Sequence, residues 1–590
     1  MSKFFITNNQ GLSQRIMQDV EESAYQASFV FNEDGIYAVS TKKLAVDNVN
    51  GKRCGDGFTI VTGTLSYGNG MPVNETTLHR IYQEFENNVN FIRQDCLGNY
   101  GISIYKNKVL YVFGEIPGFY NIYYYKKDND WLISNSLYDI AIVLKDRITL
   151  NKMALLESIV QEGILLGDTY FNEIHRLCGF NYLRIERESV QVIEDECLYP
   201  LAEGSLDNKV KRFTDLLHNY AQKMVLAFGD PAISMTGGLD ARMVLSSYLS
   251  ADANPHLYYG TGNSFITNTY NEDKEIDIAF SEKYGLVFHD EKWGTPIPLD
   301  KYWDDYLEIF GFSYDTYAGS KEVNESIINT PCDHFTYGYC GELFRSLPWI
   351  ESRTKPFFTI DEYAEEFYVP QKLKNEIVEV GEYMSYIKNK ISIICEHYLL
   401  DPNHIPNEDI FYLSLERRKS ADSVMLNHVN LIKYCSYILG QYGCLVAGRV
   451  TCEEANDSCF MLHCLDTLYP SVLDVPVFSH CTMRNFYRET MRLNPQNRPV
   501  SWRDRIKKYV TSRFPRIVSF GRRLLRNKHF GRFPMDEHIN NYLFSFLKDK
   551  QYCDGIYIER ISDMRRLISY VMKNKAIESV FSIKQNDRHD

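Results

Sequence analysis

The sequence has no Cys-x-x-Cys pair and no His-Glu dipeptide, although it carries 14 cysteines and 14 histidines. That spacing disfavours a zinc site and a disulfide scaffold, and fits reduced thiols packed in an interior. No apolar run reaches the roughly 18 residues that a membrane-spanning helix needs, and the opening Met1-Ser2-Lys3-Phe4-Phe5 lacks a signal-peptide core. Positive charge is in deficit, with 64 Lys and Arg against 77 Asp and Glu and a net charge of −13. This excludes general nucleic-acid binding, because neutralising phosphates needs a basic face. A cytoplasmic globular protein is expected. Its 590 residues are enough for several domains with large cores.

What is present centres on Ala232-Ile233-Ser234-Met235-Thr236-Gly237-Gly238-Leu239-Asp240-Ala241-Arg242. A short buried strand, a Thr-Gly-Gly turn and an apolar-periodic helix with Leu239, Met243, Val244 and Ser247 on one face are expected here. Strand, glycine turn and helix start together offer backbone N–H groups and a positive helix end to a phosphate. Asp240, in the first helical turn, is placed to hold a magnesium ion that bridges phosphate oxygens. No Gly-Lys-Ser/Thr follows the glycines, so this is not the loop of the common nucleotide triphosphatases. The stretch resembles the Ser-Gly-Gly-x-Asp-Ser pyrophosphate loop of the ATP pyrophosphatase superfamily, in the form found in asparagine synthetases. An ordinary strand-to-helix turn is the alternative.

Residues 1–200 read as short strands separated by turns, among them 58–67, 100–105, 108–113 and 121–125, with a helix over 77–85. The order resembles the class II glutamine amidotransferase domain of asparagine synthetases. Gly63-Thr64-Leu65-Ser66-Tyr67 is similar to that family's Gly-Glu-Ile-Tyr-Asn, Cys96 to Gly101 to its Leu-x-Gly-x-Phe-Ala, and Gly114 to Gly118 to its Arg-Asp-x-x-Gly. The chemistry of that domain needs a cysteine at position 2, where the thiolate attacks the glutamine amide. Here the residue is Ser2 and the first cysteine is Cys54, so glutamine hydrolysis is expected to be absent. The plan is then similar to that of β-lactam synthetases and lasso-peptide cyclases. The resemblance implies an antiparallel β-sandwich of the Ntn-hydrolase type, followed by a parallel-sheet α/β domain and a helical C-terminal part.

Tyr199 to Leu206 reads as a linker to a synthetase-like domain over 207–500. Strands at 256–260 and 287–289, flanking a helix from 271 to 284, give the β-α-β alternation of an open parallel sheet. By resemblance Ser234, Thr236, Gly237, Gly238, Leu239, Asp240, Tyr259, Tyr337 and Gly338 would contact ATP; Tyr259 alone reads equally as a core tyrosine. Thr336 to Phe344 is similar to Ser-Gly-Glu-Gly-x-Asp-Glu-Leu-Phe, with Gly338 and Gly341 in place of two family acids and Glu342 in place of the third. Glu342 would take the metal or the amine proton, or be a surface helix-start residue. Gly448 to Glu454 is similar to Ala-Arg-Val-Pro-Phe-Leu-Asp, keeping Arg449. Arg484 stands where the family has a phosphate-neutralising lysine, or is a solvated helix arginine.

The expected activity is an AMP-forming carbon–nitrogen ligase using ATP and Mg²⁺. A small-molecule or peptide carboxylate would be joined to an amine or ammonia, with aspartate and ammonia (asparagine biosynthesis) as the family's default pair. The alternative is a non-catalytic nucleotide-binding or interaction relative. Residues 501–590 read as a basic helical segment. Its run of Lys and Arg over 503–532 suits an anionic partner, or a face turned to the acidic body.

Overall fold

The computed structural model describes residues 2–161, 163–195, 198–262, 269–293, 321–345, 355–369 and 380–475, together with 573, 576–577 and 579–581. Arg484, the basic run 503–532 and most of the segment 501–590 lie outside the described residues.

The first part is four layers deep. A six-stranded antiparallel sheet runs in the order Ile174–Arg176, Tyr123–Lys127, Asp130–Ser134, Phe4–Thr7, Ile36–Thr41, Ala27–Glu33. A second antiparallel sheet runs Ser189–Glu194, Asn181–Glu186, Val109–Gly114, Cys96–Lys106, Gly57–Tyr67, Gly51–Cys54, with Met71–Pro72 paired to the fifth of these. The period of two sends alternate residues to opposite faces. Phe4, Ile6, Trp131 and Ile133 from one sheet therefore share a core with Phe58, Ile60, Leu110 and Val112 from the other. The outer face of the first sheet is covered by helices Gln10–Glu22, Leu137–Val143 and Lys152–Gln161, and that of the second by Glu75–Glu84 and Val89–Gln94. Sheet-on-sheet with helices outside is the expected sandwich architecture.

The last described residues return to this part. Ala576, Ile577 and Val580 are buried with Leu12, Ile16 and Leu155. The Tyr138 and Ser579 hydroxyls lie 2.8 Å apart, and Lys573 Nζ donates to the Ser158 carbonyl.

Tyr199 is no loose linker residue. It is fully buried, and its carbonyl accepts from Tyr412 and Arg449. Helix Leu206–Phe228 follows, capped by the Ser205 side chain and ended at Gly229, whose φ of 77° a glycine adopts without strain. It leads into a five-stranded, all-parallel sheet in the order Phe288–Trp293, His256–Gly262, Ala232–Ser234, His334–Tyr337, Tyr434–Ser436. The chain starts in the middle of this sheet, builds outward to one side, then returns to build the other. Connections therefore leave in opposite directions on either side of Ala232–Ser234, which creates a crevice at the carboxyl ends of the strands.

Helix Leu239–Ser250 differs from the one-faced helix read from periodicity. Every residue from Ala241 to Leu249 is buried, because the helix lies between the sheet and helices Leu206–Phe228 and Cys459–Leu468. No described helix is long and apolar enough to cross a membrane.

Candidate functional site

The two connections that part at the crevice are Met235 to Gly238 and Gly338 to Phe344. Ser234 ends the central strand and is in register with Tyr258 on one side and Tyr337 on the other. Thr236 is exposed, Gly237 is buried, and Gly238 caps helix Leu239–Ser250 without a side-chain bond. The Gly237 N–H donates to Asp273 Oδ1 at 2.7 Å, so this amide already holds an anionic oxygen. A Cβ on Gly237 would stand 2.5 Å from Ile276 Cδ1, so a larger residue would have to displace the Ile276 and Asp273 side-chain ends.

Asp240 points toward the second connection. Its Oδ2 accepts from Arg345 Nη2 at 3.0 Å, and its Oδ1 is buried with no hydrogen-bond partner. Burial pushes this carboxyl up to about 6; the Arg345 guanidinium opposes the shift and the Glu342 charge adds to it. The orphaned oxygen suits a hard cation whose remaining ligands are phosphate oxygens and water. Asp240 is the residue that would hold Mg²⁺, and no second carboxylate stands free beside it among the described residues.

The reason lies in the glycines. A Cβ on Gly341 would be 2.5 Å from Asp240 Cβ and Cγ, and one on Gly338 would be 2.7 Å from the Ala241 nitrogen. The second connection is packed directly onto the helix start, and the missing acids have no room. Between these glycines Cys340 is buried in the left-handed region at φ 73°, a conformation that costs a non-glycine residue about 1–3 kcal/mol. The chain then makes one tight turn, Gly341–Phe344, which carries Glu342 into an ion pair with Arg418 Nε. Arg418 also reaches Asp422 Oδ1 at 3.4 Å.

The remaining expected residues fall nearby in part. Tyr337 ends its strand half-buried and stands edge-on to Tyr437, 6.2 Å between ring centres. Tyr259 is 2% exposed within strand His256–Gly262. Arg449 is buried, bonded to Asp409, the Tyr199 carbonyl and the Tyr412 hydroxyl. Glu454 pairs with Lys209 at 2.8 Å and caps Thr451.

Sequence reading missed four cations or anions that organise the site: Arg242, Asp273, Arg345 and Arg418. Arg242 is fully buried one turn after the loop. It donates to the carbonyls of Gly237, Val472 and Val475 and lies 4.7 Å over the Phe280 ring. Its charge in an otherwise apolar helix was the available signal. Arg345, three residues after Glu342, sits at a spacing that places both on one short turn.

At the N-terminus Ser2 is 1% exposed, and its Oγ is buried without a partner. Its carbonyl accepts from Asn135, and the Lys3 amide donates to Thr41. The hydroxyl is shut inside the sandwich.

No family model and no curated protein matches the sequence. Among solved structures, the glutamine phosphoribosylpyrophosphate amidotransferase from B. subtilis, complexed with ADP and GMP, is similar at 9% identity and a TM-score of 0.22. That likeness covers 49% of this chain and 65% of that one, just under two thirds of its length. A U34-tRNA thiolase from Methanococcus maripaludis is similar at 13% identity over 52% of this chain and 80% of that one, with a TM-score of 0.20. An allosteric regulatory enzyme of purine biosynthesis is similar at 9% identity over 50% and 75%, with a TM-score of 0.21. At these values the likenesses assign no family and carry no activity to this chain, whose site stands on its own geometry.

Proposed function

We propose that the chain is an ATP-dependent carbon–nitrogen ligase of asparagine synthetase-like design that does not hydrolyse glutamine. The observation that carries this reading is the convergence at the sheet's switch point of the Thr236–Gly238 turn, the orphaned Asp240 oxygen and Glu342. The turn and the helix start would take the β- and γ-phosphates of ATP, displacing Asp273 from the Gly237 amide. A substrate carboxylate oxygen would attack the α-phosphorus, breaking its bond to the bridging oxygen and releasing pyrophosphate. An amine would then attack the acyl carbon, lose a proton to Glu342 or water, and expel AMP. Bound Mg²⁺ supplies charge neutralisation on the phosphates. Arg345 and Arg418 hold Asp240 and Glu342 in place and add positive potential.

The test is ATP–pyrophosphate exchange with Mg²⁺ across a carboxylate panel, wild type against Asp240→Asn. Exchange that needs one carboxylate and Asp240 is expected. Exchange of equal rate in the variant would sink the assignment of Asp240.

A second reading, a nucleotide-binding relative without catalysis, is favoured by two contacts. Arg345 occupies one Asp240 oxygen, and Asp273 occupies the Gly237 amide. ATP binding by calorimetry, with no exchange on any carboxylate or amine, would support it.

A further inference from the structure

On the Glu342 side the crevice adjoins a cleft of about 130 Å³. One face of helix Ile410–Ile432 forms its wall, with Ile410, Phe411, Ser414, Arg417 and Arg418 recurring at helical spacing. At 1.5 Å per residue that face runs for about 12 Å. It is apolar where it begins and cationic where it ends, and the cationic end is the one that meets Glu342.

The cleft is lined by guanidinium groups whose hydrogen-bonding capacity is not fully used. Arg345 lines it, and its Nε is buried without a partner. Arg449 also lines it, is 5% exposed, and has a buried Nε without a partner. Arg417 has no carboxylate partner among the described residues and lies 5.8 Å over the Tyr368 ring. The two Nε atoms are closed off from the cleft itself, so the half-buried Arg417 is the guanidinium that an anion entering it would meet. At the other end stand Glu408, the Asn407 Oδ1, which is buried without a partner, and Arg449, whose charge is already matched by Asp409. A carboxylate placed there would meet a like charge and an acceptor.

We propose that this cleft is the subsite for the substrate carboxylate, and that its ligand is a monocarboxylate whose apolar body is about the size of one ring. Arg417 takes the carboxylate, Arg345 adds positive potential beside it, and Phe411 and Phe367 flank the body. The volume is close to that of the apolar cavities of about 150 Å³ that accept benzene, which fits a small molecule better than a length of peptide. Aspartate is disfavoured, because its second carboxylate would lie toward Glu408. The inference rests on the ligase reading for its chemistry, while its test reads binding alone.

Calorimetric titration of the full chain with 3-phenylpropionate, 3-phenylpropan-1-ol and aspartate separates the outcomes. Saturable binding of 3-phenylpropionate is expected, with the alcohol and aspartate at least about tenfold weaker, the size of one charge-assisted contact. Arg417→Met and Phe411→Ala should each weaken 3-phenylpropionate by a similar factor with unchanged melting temperature, and Arg417→Lys should restore part of the loss. Lys211→Met, on an exposed helix face, should change nothing. No saturable binding, equal binding of the alcohol, tighter binding of aspartate, or an unaffected Arg417→Met would overturn the assignment. Binding of 3-phenylpropionate, with no exchange on any carboxylate of the panel, keeps the subsite and sinks the ligase reading. Aspartate-dependent exchange without 3-phenylpropionate binding does the reverse.

Discussion

In the proposed reaction Asp240 is the residue that would hold the cation, and its protonation can be followed. Its folded value of about 6 lies above the ordinary carboxylate range because burial disfavours the charge. A carboxyl so raised makes the fold less stable as pH rises from the unfolded value to the folded one, and is fully charged only above it. Cation-dependent exchange should therefore rise through pH of about 6. Arg345→Met removes the cation that opposes the shift, so the midpoint of the pH–rate curve should move upward; a midpoint that stays or falls would contradict the pairing. Gly341 gives a second test. Gly341→Asp restores the acid of the resembled motif, yet its Cβ would fall 2.5 Å from Asp240 Cβ. The substitution should cost about 1–3 kcal/mol in urea unfolding and weaken ATP binding, as overpacking does. Tighter binding would mean that the connection can shift to admit an acid. The sequence shows that two acids are missing. Only the packing shows that there is no space for them.

Among the elements, helix Leu239–Ser250 stands out because it buries the Arg242 guanidinium completely. Arg242→Leu would leave three carbonyls without their donor and remove the cation facing Asp277. A loss of about 3 kcal/mol or more is expected in denaturant titration. Asp277 is itself fully buried and raised to about 8, mostly by desolvation, with Asp273 adding to the shift and Arg242 opposing it. Stability should fall as pH rises from about 4 to 8, the window between its unfolded and folded values. Asp277→Asn should flatten that slope, seen as a smaller difference in urea midpoint between pH 5 and pH 8. These elements were legible to different degrees. The strands Gly57–Tyr67 and Val109–Gly114 announce themselves as short β-branched and aromatic runs bounded by turns, and helix Leu206–Phe228 by its apolar stripe. Helix Leu239–Ser250 hid its complete burial, because Ser246 and Ser247 bond back to their own helix carbonyls and so need no solvent. The loop glycines were readable from local chemistry. Arg345, Arg417 and Arg418 were not, since their meeting depends on how the helix Ile410–Ile432 crosses the sheet.

Across the whole molecule, the sandwich and the parallel sheet are joined by buried polar contacts instead of a bare apolar seam. Thr64 Oγ1 donates to Asn430 Oδ1 and accepts from the Cys435 amide, each at 2.8 Å. Asn99 accepts from the Tyr437 amide, and Gln441 accepts from the Gly98 amide. Lys43, whose charge burial lowers to about 7, donates to the Asn430 carbonyl. Such contacts fix one docking geometry, because any slip leaves several groups unpaired. Thr64→Val should cost about 2 kcal/mol and lower the midpoint of both parts together in a single transition. Two separated transitions would show that the parts unfold independently. The returning tail carries a further consequence. Tyr138 and Ser579 are 441 positions apart, and Ala576, Ile577 and Val580 complete a core begun by Leu12 and Ile16. During synthesis on the ribosome the opening sandwich therefore emerges with an uncovered greasy patch. It keeps that patch while the parallel-sheet part is translated, and receives its cover only once residues 576–580 have followed. The order of synthesis therefore sets the earliest moment at which this core can close.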